Sequence, residues 1–155
     1  MRLALLSLAV LAASMVFPGY AEAELLGPQQ IIETLSGRWV VDPEEEPDTE
    51  TNCGTDFQEI RLERDNNTLV YFSQWSGAEE EARSDVNVMH SVQGELLPTI
   101  ILQYDGEMRL DDTGQLVQWA LFMPDDDHYY WSRLDWPTGR RTAMRVRCPD
   151  TVMIG

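Results

Sequence analysis

The sequence predicts an all-β protein that folds as an antiparallel up-and-down barrel of about eight strands, with a short helix before the first strand. Three observations predict this fold. Short runs rich in β-branched and aromatic residues alternate apolar with polar positions, most clearly from Val86 to Gln93. Tight turns such as Asp105-Gly106 separate the runs. A meander of this length is expected to close into a barrel, because closure removes the exposed edge strands.

The first predicted element is a helix over Pro28 to Leu35. Pro28 occupies a tolerated first position, and Ile31, Ile32 and Leu35 are spaced to share one face. The remaining elements are predicted as strands because apolar residues recur at every second position. Residues 76–83 are predicted as a charged loop. The predicted strands cover residues 37–41, 56–63, 68–75, 86–93, 97–104, 116–123, 128–134 and 142–148, with a short extra piece at 107–110.

The N-terminus has the pattern of a cleaved secretion signal. Arg2 supplies a positive charge, Leu3 to Phe17 is apolar, and Ala21-Glu22-Ala23 is a small-x-small cleavage site. We therefore predict a signal peptide at residues 1–23, a single barrel domain at 24–155, and an exported protein, either periplasmic or secreted. Cys53 and Cys148 are the two cysteines of the chain. In an oxidising compartment they predict one disulfide, between strands that barrel closure makes neighbours.

The charge of the chain excludes several classes of partner. A formal net charge of −16 leaves no basic stripe for nucleic acid and would repel an anionic membrane surface. After Phe17 no apolar run is long enough to span a membrane as a helix. The acidic runs lack the spaced oxygen pattern of a calcium loop, and neither a metal nor another cofactor is expected.

The start of the first strand resembles a known family. Gly37-Arg38-Trp39 is similar to the Gly-x-Trp signature that opens the lipocalin and wider calycin barrels. The resemblance implies that Trp39 plugs one end of the barrel and that a basic residue of the last strand packs over its ring. Arg145 and Arg147 are both candidates for that cover.

A second resemblance implies a different function. Periplasmic inhibitors of bacterial metalloproteases are similar eight-stranded barrels with a Gly-x-Trp start, an early cysteine and one disulfide. Residues 24–27, Glu-Leu-Leu-Gly, would have to supply the N-terminal arm through which those inhibitors act.

The candidate ligand-lining residues are aromatic or apolar side chains on alternating strand positions. An eight-stranded barrel is just wide enough to be filled by its own side chains, so a filled core and a ligand cavity both stay open. We expect a binding protein without catalytic activity. Its partner would be a small apolar or amphipathic ligand, or alternatively an exported protein such as a protease; its oligomeric state stays open. His90 either bonds within the core or reaches a ligand. The candidates are Tyr71, Val88, His90, Trp119 and Tyr130.

Overall fold

The protein is an all-β barrel, as the sequence predicts. The structure, a computed structural model, describes residues 25–48, 52–89 and 99–149. In these ranges one short helix is followed by eight strands, which pair antiparallel in chain order and close into a barrel. The predicted signal peptide lies outside the described residues. The elements are α1 (Pro28–Thr34), β1 (Gly37–Val41), β2 (Gln58–Asp65), β3 (Thr68–Trp75), β4 (Ala82–Met89), β5 (Thr99–Tyr104), β6 (Trp119–Asp125), β7 (His128–Arg133) and β8 (Arg145–Arg147).

The barrel closes where its first strand meets its last. Trp39 of β1 lies opposite Arg147 of β8, and Val41 lies opposite Arg145. We call the end at which β1 begins the lower end, and the end at which β1 finishes the upper end. Because neighbouring strands are antiparallel, β8 begins at the upper end, and β5 finishes there.

A disulfide reinforces this closure. Cys53, in the loop before β2, is bonded to Cys148, directly after β8, with 5.5 Å between the Cα atoms. The predicted bridge is confirmed. It joins residues 95 positions apart and fits an oxidising environment.

The helix closes the lower end. Ile31 of α1 and Leu35 after it are fully buried in the same core cluster as Trp39. Before the helix, the amide of Leu26 donates to the carbonyl of Met123 at 2.8 Å. The helix is thus a lid over the barrel, positioned by its apolar face.

Side chains pack on both faces of the sheet. A large inner cluster fills the barrel, and a smaller cluster of Ile101, Ala120 and Phe122 lies on the outer face of β5 and β6. Trp119, Leu121 and Met123 share the inward face of β6. The inner cluster consists of Ile31, Leu35, Trp39, Ile60, Tyr71, Ile100, Leu102, Leu121, Met123, Tyr129 and Trp131.

Several strand boundaries differ from the sequence prediction, most clearly at the start of β4 and before β6. β4 begins at Ala82, which lies opposite Ser73, so residues 82 and 83 are not part of a loop. The charges of Arg83 and Asp85 obscured this start, because both are exposed side chains of a half-buried strand. The short piece at 107–110 and the start of the strand predicted at 116 form no strand and are linked by a single bridge, Leu110 to Leu116.

Candidate functional site

The lower end of the barrel is sealed by Trp39. Its side chain is fully buried, and its indole Nε1 donates to the carbonyl of Leu35 at 2.9 Å. The guanidinium carbon of Arg147 lies 4.2 Å from the centre of the indole ring. Of the two candidate arginines, the structure therefore places Arg147 over Trp39.

Arg147 has a complete set of partners. It donates to the carbonyls of Thr34, Ser36 and Asp126, and thus joins α1 to the turn between β6 and β7. Gly37 makes room for this side chain. Its φ is +146°, and a Cβ at this position would lie 2.7 Å from Nη1 of Arg147. These contacts make the lower end a structural seal.

Aromatic rings fill the interior above the seal. Trp39 meets Tyr129 edge to face at 4.8 Å between ring centres, and Tyr129 meets Trp131 at 6.1 Å. Trp131 then contacts Tyr71 at 5.9 Å and Tyr104 at 6.5 Å. These spacings are those of favourable aromatic pairs. The lower and middle parts of the barrel are therefore filled by the protein's own side chains.

In the lower part of this aromatic column the buried phenol has a hydrogen-bond partner, whereas several polar atoms higher in the barrel have none. The hydroxyl of Tyr129 donates to Oε1 of Gln58 at 2.8 Å. Among the described residues, five buried side-chain polar atoms have no hydrogen bond of good geometry: Tyr71 Oη, Ser84 Oγ, Trp119 Nε1 and, on Arg145, Nε and Nη1. Of these, Tyr71 Oη lies near Ser73, which lowers the pKa of the phenol against the larger effect of burial. Buried polar atoms are nearly always paired in folded proteins, so a group of five calls for an explanation.

These atoms face the upper interior. Ser84 lies opposite Tyr71 on β3 and opposite Tyr104 on β5. Trp119 begins β6 and Arg145 begins β8, both at the upper end. The register of Arg145 with Tyr129 places its side chain on the inward face. The upper interior thus collects unpaired donors beside aromatic walls.

Arg145 is the charged member of this group. Its guanidinium carbon lies 5.3 Å from the ring centre of Trp75, which is 38% exposed at the rim. It forms no hydrogen bond with any described residue through Nε or Nη1. Arg133 and Arg141 are different, since each pairs with a carboxylate, of Asp135 and Glu45 respectively.

The electrostatics of the interior identify the neighbours of Arg145. Burial raises the pKa of Tyr104 to about 12, and it raises the pKa of both Tyr71 and Tyr129 above the usual value. The positive charge of Arg145 opposes the rise in pKa at all three phenols. The three tyrosines therefore remain neutral at pH 7, and none of them neutralises the arginine.

Loops from neighbouring strands form the rim of this site. The carboxylate of Glu45, after β1, accepts two hydrogen bonds from the guanidinium of Arg141, at 2.7 and 2.9 Å. Trp119 contacts Trp136 edge to face at 5.5 Å, and Arg140 lies 4.6 Å from the ring centre of Trp136. Arginine and tryptophan side chains thus form the rim of the upper end.

The predicted ligand-lining residues are scattered over the barrel. Tyr71 lies in the inner cluster, and Trp119 packs against that cluster at the upper end. Tyr130 does not line the interior but stacks on Phe122 in the outer cluster, since Tyr129 and Trp131 on either side take the inward positions. Val88 is 49% exposed near the lower end of β4, away from the unpaired donors. His90 lies outside the described residues.

The sequence did not predict an inward, ligand-facing role for Arg145 or Ser84. Arg145 was considered as a cover for Trp39, a position that Arg147 takes. The signal was the alternation in Arg145-Val146-Arg147, which puts both arginines on one face. The two arginines lie two residues apart on the same inward face. When Arg147 covers Trp39, Arg145 therefore enters the interior nearer the upper end. Ser84 carried no such signal, since a small polar residue is ordinary in a strand.

Other sites have less support. An open cleft of about 400 Å³ along β4 and β5 is lined by polar residues such as Asp85, Asn87 and Gln103, and it also reaches Ser84 and Tyr104 of the upper end. In residues 25–48, 52–89 and 99–149 there is no cluster of three or more histidine, cysteine or acidic side chains that could hold a metal ion. In the same ranges, no helix has the length and apolar character needed to cross a membrane.

Comparison with known proteins gives no match: no family model, curated protein or solved structure matches this chain. The closed eight-stranded antiparallel barrel with one short helix fits a calycin-like fold.

Proposed function

We propose that this protein is an exported, lipocalin-like binding protein that holds a small amphipathic molecule at the upper end of its barrel. The observation that supports this function is the group of five unpaired, buried polar atoms beside aromatic rings. Burying such atoms without partners is costly, and a ligand with matching polar groups would offset that cost. The aromatic rings would contact the apolar part of the same ligand.

The filled interior limits the size of the ligand. Aromatic contacts run without a break from Trp39 to Tyr104. A long chain could not pass through this column without displacing core side chains. The proposed ligand is therefore short and lies against Tyr104, Trp119 and Trp75 near the rim.

Dye binding tests this function. We expect N-phenyl-1-naphthylamine, which is neutral, or 8-anilinonaphthalene-1-sulfonate, which is anionic, to bind folded protein with increased fluorescence. Ser84→Leu, which adds apolar volume among the unpaired atoms, should abolish binding and change the free energy of unfolding by less than about 1 kcal/mol. Asn87→Leu, on the exposed face of the same strand and in the cleft along β4 and β5, should bind as wild type does.

A solid interior would give the opposite result. Neither dye would bind, and Ser84→Leu would overpack the core at a cost of about 1 to 3 kcal/mol. That outcome would reject the small-ligand function.

The alternative is a protein-binding function, and one feature favours it. Met108, Leu110 and Leu116 are 88%, 59% and 38% exposed on the segment between β5 and β6. Exposed apolar side chains of this kind often mark protein contacts. The described part of the N-terminal arm gives no such support, because Leu25 and Leu26 pack against the barrel. If the interior is solid and the segment between β5 and β6 binds a protein, we expect Leu110→Asp to weaken that binding.

A further inference from the structure

We propose that the ligand is an organic carboxylate and that Arg145 is its counter-ion inside the barrel. This inference rests on the small-ligand function proposed above. It adds the chemical class of the ligand. Four features of the site define that class: its unpaired atoms are donors, Arg145 has no ion pair, the nearby tyrosines are neutral, and the walls are aromatic rings.

The unpaired atoms require a hydrogen-bond acceptor. Nε and Nη1 of Arg145 and Nε1 of Trp119 can only donate, and the hydroxyls of Tyr71 and Ser84 can also donate. The protein can therefore supply all the donors of such a contact, and the ligand supplies the acceptors. A carboxylate has two oxygens with about four acceptor sites, so it can accept from both nitrogens of Arg145 and from a neighbouring donor.

The charge of Arg145 requires an anion. Arg145 is partly exposed, but two of its three guanidinium nitrogens are buried without a partner, so part of its charge is removed from water without an ion pair. The chain has 27 acidic residues, and carboxylates pair with Arg109, Arg133 and Arg141 around the same rim. Within the described ranges none pairs with Arg145. An acidic group supplied by a ligand would complete the pair.

The surroundings also disfavour a cationic ligand. The phenols of Tyr71 and Tyr104 are neutral at pH 7, and burial raises their pKa further, so they offer no negative charge to a cation. The carboxylate of Glu107, which acts on Tyr104, is already paired with Arg109. Arg145 itself would repel one. The indole of Trp75 lies against one face of the guanidinium, which is a common way to orient an arginine for a planar carboxylate.

A pair of matched probes tests this inference by calorimetry. We expect 2-naphthoate to bind the wild-type protein at least tenfold more tightly than 2-naphthamide, which has the same shape without the charge. Arg145→Met should remove this preference. Arg140→Met is the control, because it deletes one positive charge from the same rim and Arg140 lies over Trp136 instead of the interior. It should keep the preference within about twofold.

Denaturant unfolding shows whether the Arg145 variants remain folded. Arg145→Met should unfold at no lower denaturant concentration than wild type, because it removes a partly buried charge that has no ion pair among the described residues. If it fails to fold, Arg145→Gln, which keeps donors without the charge, replaces it, and the same loss of preference is expected.

The outcomes separate this inference from the function on which it rests. Equal affinity for both probes, lost in Ser84→Leu, would keep the small-ligand function and overturn the carboxylate. An equal loss of 2-naphthoate affinity in Arg140→Met and Arg145→Met would overturn it as well, since general attraction to the rim would then explain binding. If wild type binds neither these probes nor the dyes, both proposals fail.

Discussion

Arg145 and Arg147 lie two residues apart on one face of β8, and their environments are opposite. Arg147 donates to three carbonyls and covers Trp39 at 4.2 Å. Arg145 points into the same barrel with two unpaired nitrogens. A buried donor that has its partners stabilises the fold, whereas an unpaired one is retained at a cost. The contrast separates a structural arginine from one that is available to a ligand.

The buried tyrosines give a prediction about alkaline pH. Folding raises the pKa of Tyr104 from 10.0 to about 12 and raises those of Tyr71 and Tyr129. The folded state therefore holds these protons more tightly than the unfolded state. Their contribution to stability is complete below about pH 10 and is lost as the pH rises through the folded values.

Absorbance at 295 nm, followed with circular dichroism, measures this effect. We expect the three phenols to ionise well above pH 10, together with a fall in the free energy of unfolding. Burial also raises the pKa of Tyr130 on the outer face, so free tyrosine is the reference. Ionisation of all the tyrosines near pH 10 in a protein that remains folded would show that water reaches the interior.

At the scale of elements, closure depends on a very short strand. β8 has three residues, and it pairs with β1 on one side and β7 on the other. The bond between Cys53 and Cys148 holds this strand in place across a separation of 95 residues. Cross-linking over so long a loop mainly reduces the entropy of the unfolded chain.

Removal of the disulfide is expected to destabilise the barrel strongly. The double variant Cys53→Ala and Cys148→Ala should lower the free energy of unfolding by up to about 4 to 5 kcal/mol, measured by denaturant unfolding. Reduced wild type is the matched control and should unfold at a similar denaturant concentration. A loss below about 1 kcal/mol would mean that the pairing of β1 with β8 closes the barrel without help.

The elements could be predicted from the sequence because alternation reports directly on strand faces. Trp119, Leu121 and Met123 show this. The helix that begins at Pro28 was predictable from a different spacing, which puts Ile31 and Leu35 on one face. Alternation fails where both faces carry similar residues. In Tyr129-Tyr130-Trp131 every position is aromatic, so the pattern did not show that Tyr130 faces outward.

The candidate site was harder to predict, because it depends on contacts across the barrel. Whether inward rings meet and fill the space is set by strand tilt and register, which no single strand encodes. The unpaired state of Arg145 depends likewise on residues far away in the sequence. Its inward position could be inferred from Arg147, but its lack of a partner could not.

At the scale of the whole molecule, the charge distribution is uneven. The chain carries a net charge of −16, and all 11 of its basic residues are arginine. Eight of these arginines lie over aromatic rings. Guanidinium groups stack on aromatic faces better than ammonium groups, which explains the use of arginine in these positions. Arg145 thus places a local positive charge inside a strongly negative molecule.

This arrangement predicts an unusual salt dependence for carboxylate binding. The net charge repels an approaching anion over long distances, and salt screens that repulsion as the Debye length falls from about 30 Å at 0.01 M to about 8 Å at 0.15 M. The contact with buried nitrogens of Arg145 is screened much less. Affinity for 2-naphthoate should therefore rise by about threefold or more when the salt concentration is raised from about 0.01 M to about 0.15 M. An exposed ion pair would instead become weaker over the same change. Affinity for 2-naphthamide should stay constant and serves as the control. If salt weakened 2-naphthoate binding instead, the anion would be held by exposed arginines of the rim and not by Arg145.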